Sequence, residues 1–436
     1  MVFGWRRNRS AAGKKPQASS NMELVIPNHY LCPISLDLMK DPVTLSSGIT
    51  YDRESIEAWL EAGNFTCPVT GLVLRSFDQI PNHTLRAMIQ EWCVEHRRYG
   101  VERIPTPRVP VSPIQVSETL SCLDASTKRL DQYGCVELVQ KIKRWSSESE
   151  RNRRCIVANG ASGVLAAAFS AFSRDSSRRN DSVLEEILSA IAPMMLPMSD
   201  SESQIYLSSP DSLCTMVRFL EHGDLSSKQN SIIALKELLS SDEQHAEALA
   251  SFEEVHELLF KFIKDPVCPK ITKASLVVIF HLLSSHSSGG NIKSTFAKMG
   301  LVPLIIGIII GSERSICEGA LGVLDKLCDC EEGREEAYSN ALTWPVLVKK
   351  ILRVSELATQ YSVSAIWKLN KYGRKEKVLV EALQVGAFQK LVLLLQVGCG
   401  NETKEKATEL LKLMNPYRSE LECIESVDFK NLKRSF

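Results

Sequence analysis

One apolar pattern recurs along most of the chain: a small residue followed by aliphatic positions at helical spacing. It reads SIIALKELL at 231–239, ASLVVIFHLL at 274–283, ALGVLDKLC at 320–328, SAIWKLN at 364–370 and ATELLKLM at 407–414. Aligning Ala234, Ala274, Ala320, Ala365 and Ala407 gives intervals of 40, 46, 45 and 42 residues, and Ala190 in SAIAPMM extends the series back by 44. A second apolar segment follows most of these helices: HELLFKFI (256–263), GLVPLIIGIII (300–310), WPVLVKKIL (344–352) and GAFQKLVLLLQ (386–396). Each such unit exposes a face that only its neighbour can cover, so the pattern predicts a stacked array of helices.

Intervals of about 40–47 residues with two or three helices per unit are the period of armadillo and HEAT repeats. The predicted fold class is therefore mostly α: a right-handed armadillo-type α-solenoid over residues 117–420, ahead of a C-terminal tail at 421–436. The polar, serine-rich stretches SSESERNR (146–153), SDSESQ (199–204) and SSHSSGGN (284–291) read as surface loops between helices. SDSESQ is also a candidate for phosphorylation.

The pattern changes before residue 100. PVTLSSGITYD (42–52) alternates as strand, turn at Ser47-Gly48 and strand. Asp52 is placed to cap a helix over Arg53–Ala62, whose Ile56, Trp59 and Leu60 share one face, and Gly63 follows it as the C′ residue. Asn82 caps a last helix with the stripe Leu85, Met88, Ile89, Trp92 and Cys93. This predicts a small α+β domain over 23–99. It is followed by a Pro-rich linker at 100–116, in which RIPTPRVPVSP (103–113) holds four prolines.

Net charge is zero, with 52 basic and 52 acidic residues, so nothing in the balance calls for nucleic acid or an anionic membrane. The longest apolar run, LVPLIIGIII, is ten residues and reads as a buried helix, about half of the ~20 a membrane span requires. Thirteen cysteines are scattered singly, without Cys-x-x-Cys pairs or a signal peptide, which reads as an intracellular, reduced protein. Cytoplasm is the expected location. The basic tail at 1–22, with Arg6, Arg7, Arg9, Lys14 and Lys15, reads as disordered and makes the nucleus or a membrane surface a second candidate. Val2 excludes myristoylation.

The small domain carries two Cys-Pro loops, YLCPISLDLMKDPV (30–43) and TCPVT (66–70), at the distance where a zinc domain would place ligands. The candidates Cys32, Cys67, Cys93, His29, His83 and His96 do not pair, and Ser35 stands where a Cys-x-x-Cys would close. No metal and no cofactor are expected there. Cys328 and Cys330 lack a neighbouring His and read as a core position and its neighbour. In place of a metal, Ser35, Asp37, Asp41, Ser47, Asp52 and Thr70 are positioned to hold the loops by hydrogen bonds and ion pairs. Cys32, Cys67 and Trp59 read as structural core. Leu31, Ile34, Leu36 and Pro68 lie in loops, and two readings stay open for them: they face the domain's own core, or they form a shallow binding groove.

Taken together, HYLCPISLDLMKDPVTLSSGITYDRESIEAWLEAGNFTCPVTG (29–71) and IPNHTLRAMIQEW (80–92) strongly resemble the U-box, a RING-like fold without zinc. Coupled to repeats such as ICEGALGVLDKLCDCEEGREE (316–336), the chain resembles the plant U-box–armadillo E3 ubiquitin ligases, in their compact subgroup associated with stress and defence. The resemblance implies a ubiquitin-charged E2 conjugating enzyme, ubiquitin and a repeat-bound protein substrate as partners, with a second copy of the chain as a further candidate. It places the E2 contact on Ile34, Leu36 and Pro68, with Leu31 beside them. It implies no catalytic nucleophile on this chain. Many active U-boxes carry a basic residue shortly after the second loop's Pro; here Gly71 stands there, and Arg75 is the nearest arginine. The alternative is a non-catalytic armadillo adaptor that uses its U-box only as an interaction module.

Overall fold

A computed structural model describes residues 26–105, 110–174, 178–194, 201–242, 244–285, 289–372 and 375–425. The basic tail at 1–22 lies outside the described residues, as do residues 426–436 of the C-terminal tail and positions 199–200 and 286–288 of two serine-rich stretches. The chain divides into two units at Val109/Pro110.

In the first unit, strand β1 (Pro42–Thr44) pairs antiparallel with β2 (Thr50–Asp52), with Val43 opposite Tyr51. The reversal is made at Gly48, whose φ of +77° suits glycine. Alternation turns Val43 and Tyr51 inward, and both are fully buried. A third strand, β3 (Ile80–Pro81), pairs with the free edge of β1. At two residues it is too short to show alternation, so the sequence gives no sign of it. Helix α1 (Arg53–Glu61) ends one residue earlier than predicted, and Gly63 follows at φ +83°. Helix α2 (His83–Glu95) starts where Asn82 Oδ1 accepts from the Leu85 amide at 3.0 Å. Ile89, Trp92 and Cys93 of the α2 stripe are buried, but Met88 is exposed, because the covered face of this short helix is narrower than its apolar stripe.

The second unit is all helix. Seven long helices form a ladder in which each packs on the next: Gln132–Glu148, Asp181–Ile191, Leu225–Ser241, Pro269–Ser284, Arg314–Leu327, Glu356–Tyr372 and Asn401–Glu425. The six aligned alanines lie on the last six of these and are at most 3% exposed, because only a small side chain lets neighbouring ladder helices approach. The run LVPLIIGIII forms Leu301–Gly311, with Leu301, Val302, Ile305, Ile306 and Ile309 buried. Among the described residues no single helix is long and apolar enough to cross a membrane.

Several boundaries differ from the sequence reading. Helices begin at Ser201 inside SDSESQ and at Gly289 inside SSHSSGGN, so residues 201–204 and 289–291 are helical rather than loop. The first helix of this unit begins at Pro113, inside the predicted linker, because proline is tolerated in a first turn and Ser112 and Gln115 close a capping box around it. SSESERNR is mostly helical, since Ser149 caps a new helix (Glu150–Ala158) directly after Glu148. The last helix runs to Glu425, past the predicted start of the tail.

Candidate functional site

The two Cys-Pro loops are the same turn built twice. In the first, Cys32 N–H donates to Asp37 O at 2.9 Å and Leu36 N–H to Cys32 O at 2.8 Å. In the second, Cys67 N–H donates to Leu72 O at 2.8 Å and Gly71 N–H to Cys67 O at 2.8 Å. A bridge closes each at its mouth, Leu31 with Leu38 and Thr66 with Val73. The turn requires a left-handed residue at its fifth position. Gly71 fills it at φ +68° without strain, whereas Leu36 fills it at φ +60°. That conformation costs a non-glycine residue about 1–2 kcal/mol. Leu36 regains little by burial, being 72% exposed. A strained, exposed leucine held by an otherwise well-bonded turn is a functional candidate.

The cysteines sit beneath the loops with their sulfurs hydrogen-bonded as well as buried. The Asp52 amide donates to Cys32 Sγ at 3.3 Å, and Tyr51 Oη lies 3.0 Å from Cys67 Sγ while accepting from the Val69 amide at 3.3 Å. Burial pushes the Cys67 thiol up, but hydrogen bonds from Ser47, Thr70 and Tyr51 outweigh it and bring it down to about 6. Burial also acts on Cys32, where amides of Ser35, Asp52 and Ile34 carry the balance downward. The phenol of Tyr51 is pushed up by burial and then by the Cys67 sulfur. Among the described residues no group of three or more His, Cys, Asp or Glu is placed to hold a metal ion.

Helix α1 ties the loops together. Arg53 Nε meets Asp41 Oδ2 at 2.6 Å and its Nη1 donates to Gln79 Oε1 at 3.0 Å. At the other end, Trp59 Nε1 donates to Thr66 O at 2.9 Å. Trp59 is only half-buried, so it acts as a clasp at the edge of the core rather than inside it. Asp52 precedes α1 but does not cap it. Its Oδ1 turns back to accept from the amides of Lys40 (2.7 Å) and Asp41 (2.8 Å), because the end of the first loop brings two adjacent unpaired amides within its reach. Asp52→Ala is expected to remove about 2 kcal/mol from this loop, since hydrogen bonds to a charged acceptor are the stronger kind. Amide hydrogen exchange at Lys40 and Asp41 then accelerates roughly thirty-fold; unchanged exchange would show that the carboxylate holds nothing.

Of the polar residues expected to brace the loops, Asp41, Ser47, Asp52 and Thr70 do so, Ser35 only caps the local Asp37 amide at 3.4 Å, and the Asp37 side chain makes no hydrogen bond among the described residues. The four apolar loop residues divide. Leu36 is exposed; Ile34 is half-buried against the core; Leu31 and Pro68 are half-buried, Leu31 in the first bridge. The sequence reading missed Val69, Leu72 and Val73, which leave the second loop 55–75% exposed. The repeat of the Cys-Pro turn was the signal for them, since the second loop presents side chains at the positions where the first presents Leu36 and its neighbours. It also missed Tyr51, which the inward phase of β2 would have indicated.

Comparison with known proteins adds the following. The U-box domain family model matches residues 26–98, and that of the plant U-box protein ARM repeat region matches 115–434. U-box domain-containing protein 21 of Arabidopsis thaliana is 46% identical over 423 residues, covering 97% of this chain and 95% of its own. The E3 ubiquitin-protein ligase PUB23 of the same organism is 35% identical over 397 residues, covering 90% and 93%. A solved designed armadillo repeat protein aligns with a TM-score of 0.47 at 16% identity, covering 56% of this chain and 99% of that one.

Proposed function

The chain belongs to the plant U-box proteins with armadillo repeats, and from that premise we propose that it is an E3 ubiquitin ligase whose U-box loops dock a ubiquitin-charged E2. The observation that carries this is the apolar surface raised on the paired turns: Leu36 from one, Val69, Leu72 and Val73 from the other, with Ile34 and Pro68 at their base. Such a patch on well-bonded loops suits a shallow hydrophobic contact with a partner.

In this mechanism the thioester stays on the E2. The ligase contributes position, holding the charged E2 near a substrate lysine so that transfer becomes effectively unimolecular. Cys32 and Cys67 are at most 1% exposed, which supports a structural role for both, and in this mechanism no ubiquitin is carried covalently on the chain. The basic residue that braces ubiquitin in many active U-boxes has no counterpart at Gly71, where the +68° backbone angle favours glycine. The armadillo ladder is the surface for recruiting substrate, in stress or defence signalling, and the reading places the protein in the cytoplasm or nucleus.

Incubated with E1, a panel of E2 enzymes, ubiquitin and ATP, the protein is expected to build chains on itself. Pre-treatment with EDTA leaves the rate unchanged, because hydrogen bonds and not zinc hold the loops. Absence of chains with every E2 in a broad panel would favour the adaptor alternative, and loss of activity on chelation would restore a metal-dependent reading.

A further inference from the structure

The two Cys-Pro turns share a backbone but not the surroundings of their sulfurs. Cys32 Sγ is held mostly by amides, that of Asp52 at 3.3 Å and those of Ser35 and Ile34. Cys67 Sγ is met by three hydroxyls from three parts of the chain: Ser47 in the hairpin turn, Tyr51 on β2 and Thr70 in the second loop itself.

Each of these hydroxyls is also bonded to a backbone amide. Val69 N–H donates to Tyr51 Oη at 3.3 Å, Leu72 N–H to Thr70 Oγ1 at 3.4 Å and Ile49 N–H to Ser47 Oγ at 3.5 Å. An oxygen that accepts from an amide directs its own proton elsewhere. For Tyr51, fully buried, the acceptor in reach is Cys67 Sγ at 3.0 Å. The sulfur therefore sits among donors, an environment that favours its deprotonated, accepting form. Those donors are what bring the thiol down to about 6 against burial. The titratable groups facing it are Tyr51 and, across Tyr51, the Cys32 thiol. The charged groups where β2 meets α1 are engaged elsewhere, Arg53 with Asp41 and Asp52 with the first-loop amides. Two of the three amides in this chain of bonds belong to Val69 and Leu72, whose side chains are 55% and 67% exposed.

We propose that Cys67 and Tyr51 are positioning residues for the ligase reaction: an acceptor sulfur, acting through hydroxyls, fixes Val69 and Leu72 where the E2 docks. The inference rests on the E2-docking reading and adds to it the device that holds the second loop in its docking shape.

The test uses the full chain and follows discharge of an E2–ubiquitin thioester onto free lysine, titrating the thioester at pH 7.5 and at pH 5.5. Tyr51→Phe keeps the buried ring and removes the hydroxyl. It is expected to raise the half-saturating thioester concentration about fivefold at an unchanged maximal rate, the effect of one net hydrogen bond. Cys67→Ser, a neutral and weaker acceptor, shows a similar rise at pH 7.5. At pH 5.5 the wild-type sulfur is itself protonated, so the gap between wild type and Cys67→Ser closes. The E2's own pH dependence is common to both and cancels. Residues that only support the fold would lower maximal rate and melting temperature together, at an unchanged half-saturating concentration. That result, wild-type half-saturation in both variants, or a gap of equal size at both pH values would overturn the inference and leave E2 docking standing. Failure of the wild type to accelerate discharge by any E2 would overturn the docking reading, and this inference with it.

Discussion

Leu36→Gly is expected to leave the U-box as stable as the wild type or more so while reducing chain formation at least tenfold. The two effects separate because they come from different properties of one residue. The backbone at position 36 is left-handed, at φ +60°, a conformation that glycine adopts freely. Relief of about 1–2 kcal/mol of strain is offset by glycine's larger loss of chain entropy and by little lost burial, since the side chain is 72% exposed. The matching turn shows the relaxed form, with Gly71 at the same position. What the substitution removes is the side chain offered to the E2. Leu36→Glu places a charge there and abolishes activity with the fold intact. Ile34→Ala is a poorer probe, because Ile34 also packs on the core. Unfolding followed beside ubiquitination reads both effects. A variant that loses stability and activity together would make Leu36 a structural residue.

The second large effect lies in the ladder. Lys368 Nζ bridges Asp325 Oδ2 at 2.9 Å and Asp329 Oδ1 at 2.8 Å, and also donates to Asp325 O at 2.8 Å. Asp325 is 6% exposed, and its other carboxylate oxygen is buried without a well-formed hydrogen bond among the described residues. Lys368→Met leaves that buried charge uncompensated, which typically costs about 3–5 kcal/mol. Asp329 retains Lys293 at 3.2 Å. The pH dependence carries the diagnosis. Burial already raises the Asp325 carboxyl above its usual value against the pull of Lys368, and loss of the lysine raises it further. A carboxyl raised in the folded state binds its proton more readily folded than unfolded, so the deficit of the variant shrinks as pH falls. Wild type behaves oppositely through Asp329. Burial raises that carboxyl, but Lys368 and Lys293 together bring it below its usual value, so its contribution is present above that value and disappears in acid. Urea unfolding at pH 5 and pH 8 reads the Asp325 effect, whereas the Asp329 contribution is constant over that range and is lost only below pH 3.8. A deficit that does not depend on pH would mean that the lysine acts through packing alone.

What the sequence shows of this molecule follows from what is periodic. The six alanines at intervals of 40 to 46 residues mark the helix-to-helix contacts of the ladder, because the same steric requirement recurs in each repeat. The Asn82 cap and the hairpin at Gly48 are legible because their chemistry is local. The missed features depend on where distant chain returns. Asp52 looks like a cap until the Lys40 and Asp41 amides are seen beside it. Trp59 looks like core until its indole is seen reaching the second loop. At the site, the family motifs point to Ile34, Leu36 and Pro68, but the strain at Leu36 and the matching surface of Val69, Leu72 and Val73 emerge only once both loops are recognised as one turn.

The central claim is that the paired loops bring a charged E2 into use. It is tested most directly by following discharge of an E2–ubiquitin thioester onto free lysine, without substrate or chain building. Wild-type protein is predicted to accelerate discharge by at least one E2, and Leu36→Glu at equal folded concentration to give only the E2's own rate. Equal acceleration by wild type and Leu36→Glu, or none by wild type across a broad E2 panel, would contradict the account.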